Sequence, residues 1–457
     1  MIQEEKTELT EKTELTAGEK VKELQKELTW SFPNIAKEAP SQKEEAFEYC
    51  EAYKAFLDCA KTEREFTQAA VKLLNEAGYA PFEKGRDYKA GDKVYYVNRK
   101  KSLIMTTFGQ REIGAGVRLN VAHIDSPRLD LKPNPMYEKA EMAFFKTHYY
   151  GGIRKYQWAA IPLAMHGVVA KKDGEITDIR IGEEEGDPVF CVTDLLPHLA
   201  ADQNERKLKD GIKGEELNVI IGSLPFTADE DIKEPVKLLA LSVLNEKYGM
   251  TEKDFIRAEI EIVPAFKAVD VGLDRSMVGA YGQDDRVCAY TALTAEMASI
   301  EPEYTTVTVL ADKEEIGSVG NTGLDSDFVL HYIEDLAETA GIDYRTILRN
   351  SICLSSDVNA AYDPTFSQVY EERNACYINK GCVLTKYTGS RGKGGSNDAS
   401  AETMAKIVDM MDREGVYWQI GELGAVDVGG GGTVAMYVAG MDVDVVDLGV
   451  PILSMHS

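Results

Sequence analysis

The segment Thr305-Thr306-Val307-Thr308-Val309-Leu310-Ala311 is a β-branched and apolar run, and it passes directly into Asp312-Lys313-Glu314-Glu315 and then Gly317-Ser318-Val319-Gly320. Such a run predicts a buried strand whose last side chains reach a cleft at its carboxyl end, the place where α/β proteins bind ligands. Two adjacent carboxylates there repel each other unless something positive neutralises them. A divalent ion does so, letting one coordinate while its neighbour stays free as a base. The alternative is a solvated acidic turn with no chemistry. What else the chain delivers to the same cleft decides between the two.

At 457 residues the chain exceeds one ordinary domain, and 44% apolar with 28% charged residues describes a globular protein able to build more than one core. The net charge of −26 makes nucleic acid and anionic membrane poor partners, since both depend on extended basic surface. No apolar stretch approaches membrane-spanning length. The opening Met-Ile-Gln-Glu-Glu-Lys shows neither a secretory nor a transit pattern. Seven scattered cysteines without a Cys-x-x-Cys pair argue against a disulfide framework and against a thiolate zinc site. A cytoplasmic location is expected.

Residues 5–16 repeat Glu-Lys-Thr-Glu-Leu-Thr and read, within 1–20, as a mobile arm. Helical spacing occupies Glu44–Ala60 and Thr62–Ala77, followed by strand-like runs at Lys93–Asn98, Ser102–Phe108 and Gly116–Ala122. From 134 to 267 the pattern changes to short alternating strands with hairpin signals such as Asp173-Gly174. Helical pieces lie near Pro197-His198 and over Glu234–Tyr248. From 268 to 457 helices and apolar strands alternate again, with helices expected at Arg286–Ala298 and Ser326–Ala340 and a strand at Ser351–Ser355. The expectation is one α/β domain, 1–133 with 268–457, interrupted by a mostly β insert.

Five strand ends or loops carry residues of metal-ligand type: His123 with Asp125, Asp284 with Asp285, Glu314 with Glu315, Asp357, and His456. Two residues apart at a strand end, Asp125 can take the spare N–H of His123 and fix its tautomer. Two histidines, one glutamate and two aspartates can hold two divalent ions if one aspartate bridges, and ions about 3.5–4 Å apart can share a hydroxide. Glu314 is then left to take the water's proton. Zinc, cobalt and manganese all suit such a mixed site.

The residues Ala122-His123-Ile124-Asp125-Ser126-Pro127-Arg128, Gln283-Asp284-Asp285-Arg286, Asp312-Lys313-Glu314-Glu315-Ile316-Gly317-Ser318, Ser355-Ser356-Asp357 and Asp447-Leu448-Gly449-Val450-Pro451-Ile452-Leu453-Ser454-Met455-His456-Ser457 stand in one order. In that order the chain resembles the M18 metallo-aminopeptidases of the aspartyl aminopeptidase type. The resemblance implies a zinc-peptidase-like three-layer catalytic domain with an inserted dimerisation domain. It implies that His123, Asp284 and Asp357 hold one ion, that Asp284, Glu315 and His456 hold the other, that Glu314 is the general base, and that Asp125 orients His123. It further implies hydrolysis of the first peptide bond of short peptides by a metal-bridging hydroxide, in a homo-oligomer that is commonly a dodecamer built from dimers.

The segment Val383–Asn397 resembles the family's substrate loop, where a lysine meets an acidic side chain; Lys386 fits that position, with Arg391 and Lys393 as further cations. Two departures stand out. Gly151–Leu163 replaces the family's Trp-Phe-Asp-Arg-Asp-Leu, and His198 is the only nearby substitute for a histidine that members donate to a neighbouring subunit. Relatives continue past the last ligand into a closing helix, so residues beyond Ser457 are expected. The run Gly429–Thr433 lacks the lysine of a phosphate loop and is expected to allow close backbone approach near the cleft. Two other chemistries share the ligand pattern or the fold: a di-metal deacylase acting on N-acyl amino acids, and a non-catalytic oligomeric scaffold.

Overall fold

The computed structural model describes residues 16–227 and 232–457. The 305–311 run forms the strand Thr306–Ala311, fourth of nine counted from the Ala80–Pro81 edge and lying between Ser102–Thr107 and Arg118–His123. Beyond Arg118–His123 the sheet continues with Ile352–Ser355, Asp444–Gly449, Cys382–Thr385 and Trp418–Ile420, and the short strand Ala80–Pro81 borders the opposite edge. The four strands 306–311, 118–123, 352–355 and 444–449 run parallel, so their carboxyl ends open on one side.

Alternation along these strands builds a core on each face. Val307, Val309 and Ala311 with Leu119 and Val121 meet the helices Phe328–Ala340, Tyr344–Arg349 and Ala435–Ala439. Leu310, Ala122 and Leu103 meet Lys43–Cys59, Glu63–Glu76 and Gln283–Ala298. This is the three-layer α/β arrangement expected, and each fully buried Val, Leu or Ile contributes about 1.5–3 kcal/mol to holding it. The helix at 63–76 begins where Thr62 accepts from the Glu65 N–H while the Glu65 carboxylate accepts from the Thr62 N–H.

A second, antiparallel sheet has the order Ile176–Ile181, Leu163–Ala170, Ala258–Pro264, Arg128–Lys139, Met142–Tyr150, Asn218–Gly222, Cys191–Val192. It carries its own core around Leu129, Phe145, Met165 and Ile260, and the helix Pro235–Tyr248 supplies Leu244 and Tyr248 to it. The hairpin at Asp173-Gly174 joins 163–170 to 176–181, with Gly174 at φ +89°. Strand 128–139 starts five residues after His123, so the chain leaves the first sheet's carboxyl edge directly into the second.

Buried ion pairs lie within the second sheet and between it and the segment that opens helix Glu63–Glu76. Arg128 reaches Asp130 at 2.8 Å, Glu261 at 3.2 Å and Glu63 at 3.5 Å, while Lys61 reaches Glu183 at 2.6 Å. Charges buried this way are tolerated because each has a partner in reach. Most of the arm expected over 1–20 falls outside the described residues. Residues 1–15 lie outside the described residues, but Ala17–Leu28 is a helix, capped by Thr16 and Glu19. A local capping box starts this helix. After it, Trp30 packs against Trp418 of the edge strand with its ring tilted, centroids 4.5 Å apart. No helix of the described residues is long and apolar enough to cross a membrane.

Candidate metal centre and cleft

The carboxyl ends of the parallel strands converge on one cluster. His123 ends its strand and is 1% exposed, with Nε2 3.0 Å from Asp284 Oδ1, 3.8 Å from Glu314 Oε2 and 3.9 Å from Asp357 Oδ1. Asp284 sits at the start of the helix Gln283–Ala298 and turns its other oxygen, Oδ2, to His456 Nε2 at 3.1 Å. His456 Nε2 is also 3.8 Å from Glu315 Oε2. Donor atoms of His123, Asp284 and Asp357 therefore lie within 4.8 Å of one another, as do those of Asp284, Glu315 and His456. Asp284 belongs to both groups.

The turn carrying the paired glutamates is held from behind. Lys313 adopts φ +72°, Gly317 φ +88° and Ser318 φ +58°, left-handed conformations that double the backbone back on itself. Asp125 fixes the turn: its Oδ1 accepts the Glu314 N–H at 3.1 Å and its Oδ2 the Glu315 N–H at 3.2 Å. The same carboxylate lies 3.2 Å from His123 Nδ1, and Tyr150 donates its hydroxyl to Oδ2 at 2.8 Å.

The electrostatics call for positive charge. Burial, reinforced by Asp284, pushes Glu315 up to about 8, and burial also raises Glu314 and Asp357. Burial would raise Asp284 too, but His123 and His456 hold it down to about 2. The bond to Asp284 lifts His456 to about 9. Glu315 Oε1 is buried without a hydrogen-bond partner. Carboxylates that ionise only at a cost, an orphaned oxygen among them, and two imidazoles with Nε2 facing inward are a donor set that suits two divalent ions of the zinc type.

A cleft of about 470 Å³ opens over the cluster, within the size range of small-ligand sites. Its walls include Glu314, Asp357, Thr385, Thr388, Tyr437 and Asp447. Gly430, Gly431 and Gly432 also line it, and a Cβ at Gly430 would stand 2.2 Å from the Gly389 carbonyl, so the glycine run is a close-approach device as expected. A second cavity of about 390 Å³ also borders Asp284 and His456 and is lined by Trp158, Phe266 and Tyr281.

The cations expected at the cleft stand differently. Lys386 Nζ pairs with Asp398 Oδ1 at 2.5 Å and Lys393 Nζ with Asp398 Oδ2 at 2.7 Å, both half-exposed. Arg391 is exposed on the same loop, and none of the three is in the cleft wall. His198 lies on the exposed turn Pro197–Leu199 of the second sheet's unit, away from this wall. Tyr150 is not among the residues the strand-end pattern marked, and Gly151 and Gly152 stood out only as part of the segment Gly151–Leu163. An aromatic followed by two glycines at a strand end was the available signal.

A three-layer α/β protein whose parallel strands deliver such a shared imidazole–carboxylate cluster is a metal-dependent hydrolase in class. The family follows from comparison: residues 56–457 match the model of the aminopeptidase I zinc metalloproteases, M18, and the chain belongs to that family of zinc metallo-aminopeptidases. It is 49% identical over 425 residues to a probable M18 family aminopeptidase 1 of Clostridium acetobutylicum, covering 91% of each chain. It is 41% identical over 442 residues to one from Borreliella burgdorferi, covering 95% of each. The crystal structure of an M18 aminopeptidase from Thermotoga maritima superposes with a TM-score of 0.90 at 44% identity, over 94% of this chain and 95% of that one. The S. cerevisiae mApe1 dodecamer is alike in fold alone, at 22% identity, 89% and 91% coverage and a TM-score of 0.72.

Proposed function

We propose that this protein removes N-terminal residues from short peptides with two divalent ions, zinc first and cobalt or manganese as substitutes, in the cytoplasm. His123, Asp284 and Asp357 would hold one ion and Asp284, Glu315 and His456 the other. The observation that carries this reading is the position of Asp284, whose two oxygens face the two histidines at 3.0 and 3.1 Å while Glu314 stays outside both donor groups. When bound, the ions would polarise the scissile carbonyl and acidify a water.

The chain's own residues supply the proton path. Glu314, lining the cleft with Oε2 3.8 Å from His123 Nε2, takes the water's proton on its carboxylate and returns it to the leaving amine. Burial lifts its proton affinity, which suits a group that must both accept and release. Asp125 keeps His123 in one tautomer and holds the Glu314 turn in place. The cleft walls position the first residue of the peptide. An acidic first residue would have to draw Lys386 or Lys393 from Asp398, or recruit Arg391.

The unit built on the seven-stranded sheet, which takes in strand Arg128–Lys139 and so opens a few residues before the expected 134, would be the dimerisation domain, and its exposed Leu195, Leu196, Leu199 and Leu208 offer apolar surface for it. By analogy of fold, dimers would assemble into a dodecamer, and His198 would serve a neighbour's site. Native mass measurement should then give twelve copies of the 50.5 kDa chain.

The central test is chelation. Exhaustive EDTA treatment should abolish hydrolysis of leucine, lysine, aspartate and glutamate p-nitroanilides, and zinc, cobalt or manganese should restore it. Activity that survives metal removal would sink the reading. Hydrolysis of N-blocked but not free-amine substrates would make the protein a deacylase, and no hydrolysis by the metal-loaded chain would make it a scaffold. Glu314→Gln should abolish turnover with both ions retained.

A further inference from the structure

We infer that Tyr150 is a positioning residue for the general base, acting through Asp125, and that the end of strand Met142–Tyr150 thereby ties the second sheet to the catalytic centre. The inference rests on Glu314 as that base. The hydroxyl of Tyr150 donates to Asp125 Oδ2 at 2.8 Å, the oxygen that also receives the Glu315 N–H at 3.2 Å. Asp125 Oδ1 receives the Glu314 N–H at 3.1 Å and lies 3.2 Å from His123 Nδ1. One carboxylate thus faces four groups: the phenol, the N–H of the base Glu314, the N–H of Glu315, and His123, whose Nδ1 also lies 3.0 Å from the Asp125 carbonyl oxygen. A carboxylate with two oxygens can rotate about its Cβ–Cγ bond, and each rotation trades one N–H for the other. The phenol is the fourth contact and blocks that rotation.

Tyr150 is itself clamped. Arg128 lies over its ring at 3.8 Å and is held by Glu63, Asp130 and Glu261. Burial and the neighbouring Asp125 hold the phenol far above its ordinary value, so it stays a donor. The two residues that follow touch the rest of the cluster. A Cβ on Gly151, at φ +75°, would come within 3.2 Å of Glu315 Oε2, and the Gly152 carbonyl lies 2.9 Å from His456 Nδ1. Three consecutive residues at one strand end therefore contact Asp125, Glu315 and His456, the supports of the base turn and of one donor group. A carboxylate displaced by even about 1 Å at a reacting centre can cost on the order of 100-fold in rate.

The test compares Tyr150→Phe, which removes one oxygen and keeps the ring beneath Arg128, with Asp125→Asn and the double variant. All are zinc-loaded full chains. Leucine p-nitroanilide kinetics, zinc per chain and the thermal midpoint are recorded for each. The expected result for Tyr150→Phe is a kcat lower by roughly 10- to 100-fold with KM changed by less than about twofold. Zinc content should be unchanged, and the double variant should be no slower than Asp125→Asn alone, since both changes break one link. A second cycle built on Asp125→Glu serves if the asparagine variant does not retain zinc.

Wild-type kcat in Tyr150→Phe, losses that simply add in the cycle, or an effect confined to the thermal midpoint would make Tyr150 a strut under Arg128 and overturn the inference. Zinc lost from Tyr150→Phe would overturn it too, because the hydroxyl would then serve the ligands. Glu314→Gln is assayed alongside. An active Glu314→Gln removes the base assignment and this inference with it, whereas an inactive one beside a wild-type Tyr150→Phe removes only the inference.

Discussion

At the scale of single residues, the cluster depends on side chains that are absent as much as on those present. Gly151 packs its Cα against Glu315 and sits at φ +75°, where an added Cβ would meet Glu315 Oε2 at 3.2 Å and its Cβ at 3.3 Å. Gly151→Ala should therefore lower kcat by about tenfold or more through displacement of Glu315, with secondary structure by circular dichroism unchanged. Wild-type kinetics would show that the neighbouring backbone yields at no cost. The histidines, aspartates and glutamates were legible in the sequence because strand ends followed by charge and glycine are a local pattern. Tyr150 was not, since its partner Asp125 lies 25 residues away and only folding joins them. Lys386 illustrates the reverse. Its charge was legible, but the pairing with Asp398 was not.

At the scale of elements, the joint between the sheets is polar and buried, and it titrates. His166 on strand Leu163–Ala170 is fully buried, with Nδ1 2.8 Å from Glu65 and Nε2 3.0 Å from Glu183, which also pairs with Lys61. Burial alone would depress the imidazole, but the two carboxylates raise it above its ordinary value. A histidine raised on folding gives stability that is complete below the unfolded value of about 6.5 and is lost as pH rises through the folded value. The stability gap between wild type and His166→Gln, measured by urea unfolding, should accordingly shrink as pH rises above neutrality. A gap that widened would refute the assigned sign. Glu183, also buried, is held down to about 2 by His166 and Lys61 against burial, so its contribution is lost only in acid.

Caps behave as local sequence dictates. Thr62→Ala removes the side-chain half of the box that starts helix Glu63–Glu76 and should cost about 1 kcal/mol in unfolding free energy. No change on chemical denaturation would mean that tertiary contacts alone start this helix. Strands 93–98, 102–107 and 306–311 and helices 283–298, 328–340 and 235–248 fell close to the segments their periodicity marked. What periodicity did not show was the order of the strands. Residues 118–123 and 306–311 pair in parallel across nearly two hundred residues, because only that register buries both faces of each.

At the scale of the whole molecule, a surplus of buried carboxylate is balanced only when cations occupy the cluster. Folding and metal binding are then linked, since ions that bind the folded chain alone raise its stability by RT ln(1 + [L]/Kd), about 2.7 kcal/mol at a hundredfold excess over Kd. The thermal midpoint of EDTA-treated protein should therefore rise on addition of zinc. The rise should be smaller in Asp284→Ala, which loses the residue shared by both donor groups. An equal rise in both proteins would place the stabilising zinc elsewhere.

The local pattern of residues carried the class of architecture, the residue types of the centre and their order, because strand composition and strand-end charge are properties of contiguous residues. It also determined membership of the family, through motifs that are themselves short and local. Folding alone revealed which carboxylate Tyr150 holds and which cations are already paired. Those are relations among oxygens and nitrogens brought within 4 Å by folding, and at that range a one-residue change of register replaces every partner.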